Sequence, residues 1–230
     1  AGQPLPPAPF GCFCSGIVHG GGVLAVSPRK RKSRRLTDVP ELTADEIVAR
    51  VLHRDGLMLV VDKPAGLPVH RGPKGGPNLE ASFESLRFGL PRPPVLAHRL
   101  DKDTSGIMVV AKTQLANTAL TAAFAARDIE RAYLGLIWGV PDPPAGDITG
   151  DIGRDWRDRK RMAVVVRNGK PALTHYRILH TWHGSVALLE CKLATGRTHQ
   201  IRVHLASRGN PVVGDPLYLR RVPALARALP

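Results

Sequence analysis

The chain holds one short segment dense in reactive side chains, "HRLDKDTSG" at 98–106. Asp101 and Asp103 stand two positions apart beside the guanidinium of Arg99, just before the apolar run 107–111. A carboxylate next to a fixed cation stays ionised, which suits a nucleophile or a base. Asp103 begins an Asp-Thr-Ser-Gly turn, in which Asp side chains commonly bond their own backbone. Asp101 lacks that role, and a plain loop ion pair is the alternative to catalysis.

A second polar cluster, "GRTHQIRVH", occupies 196–204. Its pattern predicts a helix with Thr198 as the candidate N-cap and Gly209 as the stop. The side chains of Arg197, His199 and Arg202 would then project toward the helix N-terminus, where the dipole attracts anions. Such a helix could bind a phosphate or hold a carboxylate. The alternative is that these side chains form only a solvated polar face.

Tyr133 is the third candidate, because it lies in the alternating segment 131–140, which is typical of a strand. Such a tyrosine is usually part of a core. The alternative is a platform on which a nucleic-acid base stacks.

The elements around these residues indicate many strands with few helices between them. The apolar runs 57–61 and 107–111 predict strands, and two paired strands flank the turn at His183-Gly184. A short helix is predicted after Thr43, an N-cap residue followed by acids in the first turn. An Ala-rich helix begins at Thr113, with Leu115, Leu120 and Phe124 expected toward the core. We therefore predict an α+β fold with a mixed, mostly antiparallel sheet and flanking helices.

The charge of the chain points to a polyanionic partner. Lys and Arg number 33 against 19 Asp and Glu, giving a net charge of +14. Nucleic acid is the first expectation and an anionic membrane surface the second. A second basic cluster, "RDWRDRKR", lies at 154–161.

Cysteine usage and hydropathy exclude several other classes. The three cysteines are too few for a disulfide framework and indicate a reducing, cytoplasmic compartment. The His and Cys residues show no metal-ligand spacing, and no apolar run is long enough to cross a membrane.

Four segments together resemble the RluA family of RNA pseudouridine synthases. "HRLDKDTSGIMVVAKT" (98–113) and "TGRTHQIRVHLASRGNPVVGD" (195–215) carry its most specific motifs. "ERAYLGLIWG" (130–139) resembles the family's Tyr-containing strand, and "LVVDKPAGLPVH" (59–70) resembles its first strand. The resemblance covers about 43–219.

The resemblance implies an enzyme that isomerises uridine to pseudouridine in structured RNA without a metal or cofactor. By similarity, Asp101 is the catalytic aspartate, Arg202 pairs with it, and Tyr133 stacks on the target base. Arg99 would fill the space left by the flipped nucleotide. The same resemblance places Arg197 and Lys63 near phosphates as RNA-binding residues.

Large-subunit ribosomal RNA is the expected substrate, because the resemblance is closest to large-subunit members of the family. A transfer RNA pseudouridine synthase and a non-catalytic RNA-binding protein of the same fold are the alternatives. A hydrolase using Asp101 and Asp103 as a carboxylate pair is weaker, since metal ligands are missing. We expect a monomer with RNA as partner, no small-molecule cofactor and no membrane contact.

One domain boundary, between residues 42 and 43, follows from the composition. Residues 1–42 form a basic, Pro/Gly-rich segment with "RKRKSRR" at 29–35, too short for the S4 domain of many family members. It is either an RNA-binding arm or an idle tail. Residues 43–230 are expected to be the catalytic domain, truncated at its C-terminus because the chain ends soon after "GDPLYL".

Overall fold

The structure is a computed structural model that describes residues 41–72 and 75–219. Its elements, in chain order, are α1 (Ala44–Ala49), β1 (Val51–Arg54), β2 (Met58–Lys63), a 3-10 helix (Glu80–Leu86), β3 (Val95–Leu96), β4 (Gly106–Ala111), α2 (Gln114–Ala126), β5 (Ala132–Trp138), β6 (Ala145–Thr149), β7 (Ile152–Arg154), β8 (Met162–Val164), β9 (Leu173–Trp182), β10 (Val186–Leu193) and α3 (Gln200–Ser207). The expectations for the segment before residue 41 and for the truncated C-terminus lie outside the described residues.

The first sheet has the strand order β1-β2-β4-β3, and every pairing in it is antiparallel. Strand β2 alternates between buried and half-buried residues, which places one face on a core. The 3-10 helix covers that core with Phe83 and Leu86, together with Leu79 just before it. This sheet supports the 98–106 segment, because that segment leads directly into β4.

The second sheet has the order β5-β10-β9-β6 and is also antiparallel throughout. Strands β9 and β10 form the hairpin predicted around His183-Gly184. Helix α3 lies against this sheet through Leu205, which is buried with Ile137 and Leu189. The sheet therefore carries Tyr133 on β5 beside the polar residues of α3.

These pairings confirm the predicted α+β class with mostly antiparallel sheet. Thr43 and Thr113 cap the helices α1 and α2 through their side chains, as the sequence indicated at both positions. The orientation predicted for α2 is wrong at Leu115, which is 78% exposed. The helix instead buries the smaller Ala116 against the structure, and Leu120 and Phe124 are half-buried.

Across the described residues, no helix combines the length and the hydropathy needed to span a bilayer.

Candidate active site

Asp101 lies on the loop that leads into β4, and His98 fixes the start of that loop. The His98 Nε2 accepts a hydrogen bond from the backbone N–H of Val109 at 2.9 Å. Its ring packs on the Phe124 ring with centroids 4.4 Å apart. Burial, together with the charge of Arg131, lowers the pKa of His98 to about 4. His98 is therefore neutral at pH 7, as an imidazole nitrogen that accepts a hydrogen bond must be.

Lys63 holds the other side of the same loop, and the phosphate contact predicted for it needs correction. Its side chain is fully buried, and its ammonium donates to the carbonyls of Pro64, Leu67 and Lys102 at 2.8, 2.8 and 3.0 Å. Burial lowers the pKa of Lys63 to about 8, so the amine is still protonated at neutral pH. An ammonium whose three protons are all donated to carbonyls binds the loop and does not reach RNA.

Asp101, Arg202 and Asp215 form an ion network between three separate segments of the chain. The Arg202 Nε and Nη2 donate to the two carboxylate oxygens of Asp215 at 2.7 and 3.0 Å. Its Nη1 donates to Oδ2 of Asp101 at 3.3 Å. Among the described residues, no hydrogen bond reaches Oδ1 of Asp101, so this oxygen is available to a substrate.

Electrostatics keeps the Arg202–Asp215 pair ionised despite its burial. Burial alone would raise the pKa of Asp215, but hydrogen bonds from Arg202 and from the backbone N–H groups of Tyr218 and Leu217 leave it below its usual range. Burial alone would lower the pKa of Arg202, and the carboxylates of Asp215 and Asp101 raise it. A fixed guanidinium therefore faces Asp101 at any pH near neutrality.

The N-cap residue of helix α3 is His199, one position after the Thr198 predicted from sequence. His199 occupies the N-cap position with a left-handed φ of 56° and makes no side-chain capping bond. The segment that leads into the helix is held by Gln200, whose Oε1 accepts the Thr195 hydroxyl at 2.7 Å and the Arg197 N–H at 3.0 Å. Arg202 consequently lies in the first turn of the helix, whereas Arg197 and His199 precede it.

Tyr218 connects His199 to the network, a contact that the sequence did not reveal. Its hydroxyl accepts the backbone N–H of Met162 at 2.9 Å and lies 2.8 Å from His199 Nδ1. The hydroxyl proton is thus free to be donated to Nδ1, which leaves the imidazole proton on Nε2. That Nε2 is 3.9 Å from Oδ2 of Asp101. The charge of Asp101 raises the pKa of His199, but burial has the larger effect and lowers it. The lowered pKa favours this neutral imidazole.

An open cleft of about 280 Å³ joins these groups. Its lining includes all but one of the residues predicted for the site, namely Arg99, Asp101, Tyr133, Arg197 and Arg202. Tyr133 packs against the buried clusters of both sheets, and its ring is half-buried beside the cleft. Burial raises the pKa of its hydroxyl, which stays neutral. Lys63 is the one predicted site residue that does not line the cleft, because it is buried.

The two other predicted basic residues differ in how they are held. Arg99 is exposed at the cleft. Arg197 is half-buried, and its Nε donates to the Pro171 carbonyl at 3.1 Å.

Asp103 is exposed and lies on a neighbouring cleft of about 270 Å³. The turn predicted to depend on Asp103 is closed by the backbone, because the Thr104 N–H donates to the Asp101 carbonyl at 3.2 Å.

Arg131 is a cleft residue that sequence reasoning missed. Its Nε is buried without a hydrogen-bond partner among the described residues. Its guanidinium lies against Gly196, where an added Cβ would be 2.9 Å from Nη1. Arg131 stands two positions before Tyr133, so the period of a strand places both on one face, which was the available signal.

The described part of the chain contains no group of three or more His, Cys, Asp and Glu side chains placed to hold a metal ion. What the cleft does offer is the carboxylate of Asp101, the aromatic ring of Tyr133 and several guanidinium groups. This combination suits a flipped base on a polyanion, which needs a stacking platform, phosphate contacts and a reactive group.

Comparison with known proteins agrees with this geometry. Residues 57–207 match the model of the RNA pseudouridylate synthase family. The chain therefore belongs to that family. Within it, the RluA membership predicted from the motifs is confirmed by relatives named ribosomal large subunit pseudouridine synthase D.

Two of those relatives show the extent of the similarity. The protein of that name from Xanthomonas campestris pv. campestris is 48% identical over 179 residues, which cover 75% of this chain and 52% of the relative. The one from Nitrosomonas europaea is 46% identical over 184 residues, covering 78% and 52%. The chain thus spans about half the length of these curated relatives.

Two solved structures share the fold. Human RNA pseudouridylate synthase domain containing 4 superposes with a TM-score of 0.64 at 32% identity, covering 76% of this chain and 70% of that one. Human RNA pseudouridylate synthase domain containing 1 gives 0.63 at 28% identity, covering 78% and 72%.

Proposed function

We propose that this chain isomerises uridine to pseudouridine in structured RNA, and that large-subunit ribosomal RNA is its substrate. The observation that carries the proposal is the Asp101 carboxylate, held by Arg202 at 3.3 Å in a cleft that also contains Tyr133. The relatives named ribosomal large subunit pseudouridine synthase D support the choice of RNA. The net charge of +14 supports a polyanionic partner.

The roles of the cleft residues follow from what a paired uridine requires. The nucleotide must leave the stack before its glycosidic bond can be reached. Arg99, exposed at the cleft mouth, enters the vacated space, and Tyr133 stacks on the flipped base. Arg197 contacts the backbone phosphates from the edge of the cleft. The free Oδ1 of Asp101 then meets the nucleotide, while Arg202 holds the other oxygen.

The reaction conserves all atoms and electrons of the nucleotide. The bond between N1 of the base and C1′ of the ribose breaks, and a bond between C5 and C1′ replaces it. The hydrogen on C5 is lost as a proton, and N1 gains a proton. Asp101 acts as the nucleophile, on the sugar or on the base, and is regenerated at the end. No oxidant or reductant enters this balance.

We propose further that the protein acts as a monomer in the cytoplasm. The buried free thiol of Cys191 is compatible with a reducing compartment. Light scattering of the purified chain tests the oligomeric state.

The test of the activity compares Asp101→Asn with the matched variant Asp103→Asn. Both replace a loop carboxylate by an amide, but only the first lies in the ion network with Arg202. We expect the wild type and Asp103→Asn to form pseudouridine in unmodified large-subunit ribosomal RNA, and Asp101→Asn to form none. Pseudouridine is mapped in that RNA and, in parallel, in unmodified transfer RNA.

Each other outcome contradicts a specific part of the proposal. Full activity of Asp101→Asn would exclude its role as nucleophile. Modification of transfer RNA alone would contradict the choice of ribosomal RNA and favour a transfer RNA pseudouridine synthase. RNA binding by a folded wild-type protein without any modification would favour a non-catalytic RNA-binding protein.

A further inference from the structure

The hairpin of β7 and β8 carries the basic cluster 154–161, which the proposed reaction does not use. Trp156, at the tip of this hairpin, is 81% exposed. The Arg157 guanidinium lies over its ring, with the guanidinium carbon 4.6 Å from the ring centroid. An exposed indole offers a face on which a nucleic-acid base can stack, and an Arg beside it adds a cation–π contribution.

The tip of the hairpin is held in one conformation by its own hydrogen bonds. The Asp155 N–H donates to the Arg161 carbonyl at 3.0 Å, and the Arg161 N–H donates to the Asp158 carbonyl at 2.8 Å. The Arg154 side chain donates through Nη1 to the Arg159 carbonyl at 3.0 Å. Binding therefore costs little ordering of the backbone around Trp156.

The charge that the hairpin presents outward is positive. Residues 154–161 hold five Arg and Lys against two Asp. Both acids also accept backbone hydrogen bonds within the turn, Asp155 from the Arg157 N–H at 2.9 Å and Asp158 from the Lys160 N–H at 3.0 Å. The exposed cations on this hairpin and the segment after it are Arg154, Arg157, Arg159, Lys160, Arg167 and Lys170. An exposed indole among guanidinium groups fits a single-stranded polyanion, whose bases stack and whose phosphates pair with Arg.

The base of the hairpin is joined through Tyr218 to two residues that line the cleft, His199 and Arg202. The Met162 N–H donates to the Tyr218 hydroxyl at 2.9 Å, and the Arg161 guanidinium carbon lies 5.2 Å from the centre of the Tyr218 ring. The hydroxyl of the same tyrosine lies 2.8 Å from His199 Nδ1, and the Arg202 guanidinium carbon lies 5.0 Å from the centre of its ring. A nucleic acid bound in the cleft is thus also near the hairpin.

We propose that the 154–161 hairpin is a second RNA-docking element. In it, Trp156 stacks on an unpaired base outside the target nucleotide, and Arg159 and Lys160 contact the adjacent phosphates. This inference rests on the proposed function only in taking RNA as the partner, and it does not require that uridine be isomerised.

The test measures binding of the full chain, carrying Asp101→Asn to stop turnover, to an unmodified transcript of large-subunit ribosomal RNA. We expect Trp156→Ala to raise Kd about tenfold, the size of one lost stacking contact. Trp156→Phe keeps an aromatic face and should remain within about threefold of the parent. Val166→Ala is the matched control, because Val166 is 98% exposed on the segment that follows the hairpin and carries no charge or ring.

Salt dependence tests the phosphate contacts separately. The logarithm of the binding constant falls with the logarithm of salt concentration by about 0.9 for each phosphate neutralised in a duplex and about 0.7 in a single strand. The double change Arg159→Gln and Lys160→Gln should therefore reduce that slope by about 1.5. Trp156→Ala should leave the slope unchanged, since stacking releases no counterion.

The outcomes separate this proposal from the proposed activity. Binding of Trp156→Ala equal to that of the parent overturns it, and equal losses in Trp156→Ala and Trp156→Phe overturn the stacking contact. An unchanged salt slope in the double variant overturns the phosphate contacts. If the wild type modifies no uridine but Trp156→Ala still loses affinity, the activity fails and the docking element stands.

Discussion

Asp215→Asn is the change that tests how Asp101 is positioned. The Asp215 side chain is 2% exposed, and its carboxylate accepts four hydrogen bonds, two from Arg202 and one each from the N–H groups of Leu217 and Tyr218. Asparagine has the same shape, and its oxygen still accepts the two backbone N–H groups. Its NH₂ group then faces the Arg202 guanidinium, so one donor meets another.

The expected loss of stability follows from the buried cation that remains. Removing one partner of a buried ion pair costs about 3–5 kcal/mol, because the other charge is left uncompensated. Arg202 keeps its contact to Asp101, so we expect the lower end of this range, about 3 kcal/mol. For a domain of this size each kcal/mol lowers Tm by about 2–4 °C, which gives a decrease of about 6–12 °C.

The assay is thermal unfolding followed by circular dichroism, together with the rate of pseudouridine formation in large-subunit ribosomal RNA. Asp147→Asn is the control, since Asp147 pairs with His175 at 2.6 Å but its side chain is 57% exposed. That control should shift Tm by less than about 2 °C, as surface pairs contribute little. A Tm of Asp215→Asn within 2 °C of the wild type, with full activity, would refute the view that Asp215 fixes Arg202 and hence Asp101.

Three further predictions concern the groups around the loop. Lys63→Met keeps the buried aliphatic side chain but leaves three carbonyls without their hydrogen-bond donor. Urea unfolding should therefore show a free energy of unfolding lower by about 2–4 kcal/mol. An unchanged urea midpoint would contradict the role of the Lys63 ammonium in holding the loop. His98 has a pKa of about 4 in the folded chain against about 6.5 unfolded, so its contribution to stability is full above pH 6.5 and is lost as pH falls toward 4. Stability should fall by about 2 kcal/mol between pH 7 and pH 5 through this group, and His98→Gln, which can still accept the Val109 N–H, should show a smaller fall in the same titration. We expect Arg131 to contact RNA, because it lines the cleft and its Nε has no hydrogen-bond partner among the described residues. Gly196→Ala would push the Arg131 guanidinium aside, so the Kd for RNA should rise as much as in Arg131→Ala. The double variant should bind no more weakly than either single variant, and additive losses would show that the two changes act separately.

The parts of the fold that the sequence predicted are those fixed by local pattern. Thr43 and Thr113 were recognisable because an N-cap acts within one helical turn. The hairpin around His183-Gly184 was recognisable because a tight turn joins two apolar runs. The orientation of α2 was harder, since Leu115 and Ala116 differ by one position and either face of an Ala-rich helix is apolar enough to pack.

The site shows the same division between local and distant effects. Asp101, Tyr133 and Arg202 were named from motifs, and the structure brings all three to one cleft. Asp215 was missed because its partner lies 13 residues away and belongs to a helix, which no local pattern reports. Lys63 was placed near phosphates by resemblance alone. Its burial depends on carbonyls that include that of Lys102, 39 residues away, which no local pattern reports.

The unequal sharing of Arg202 supports Asp101, and not Asp215, as the proposed nucleophile. Asp215 takes two guanidinium nitrogens and two backbone N–H groups, so its oxygens are saturated and its side chain is closed to solvent. Asp101 takes one nitrogen at 3.3 Å and its side chain is 19% exposed at the cleft. The saturated carboxylate fixes the cation, and the cation orients the unsaturated one while leaving an oxygen free. A nucleophile needs that combination of fixed direction and incomplete bonding, because each further hydrogen bond would have to be broken during attack.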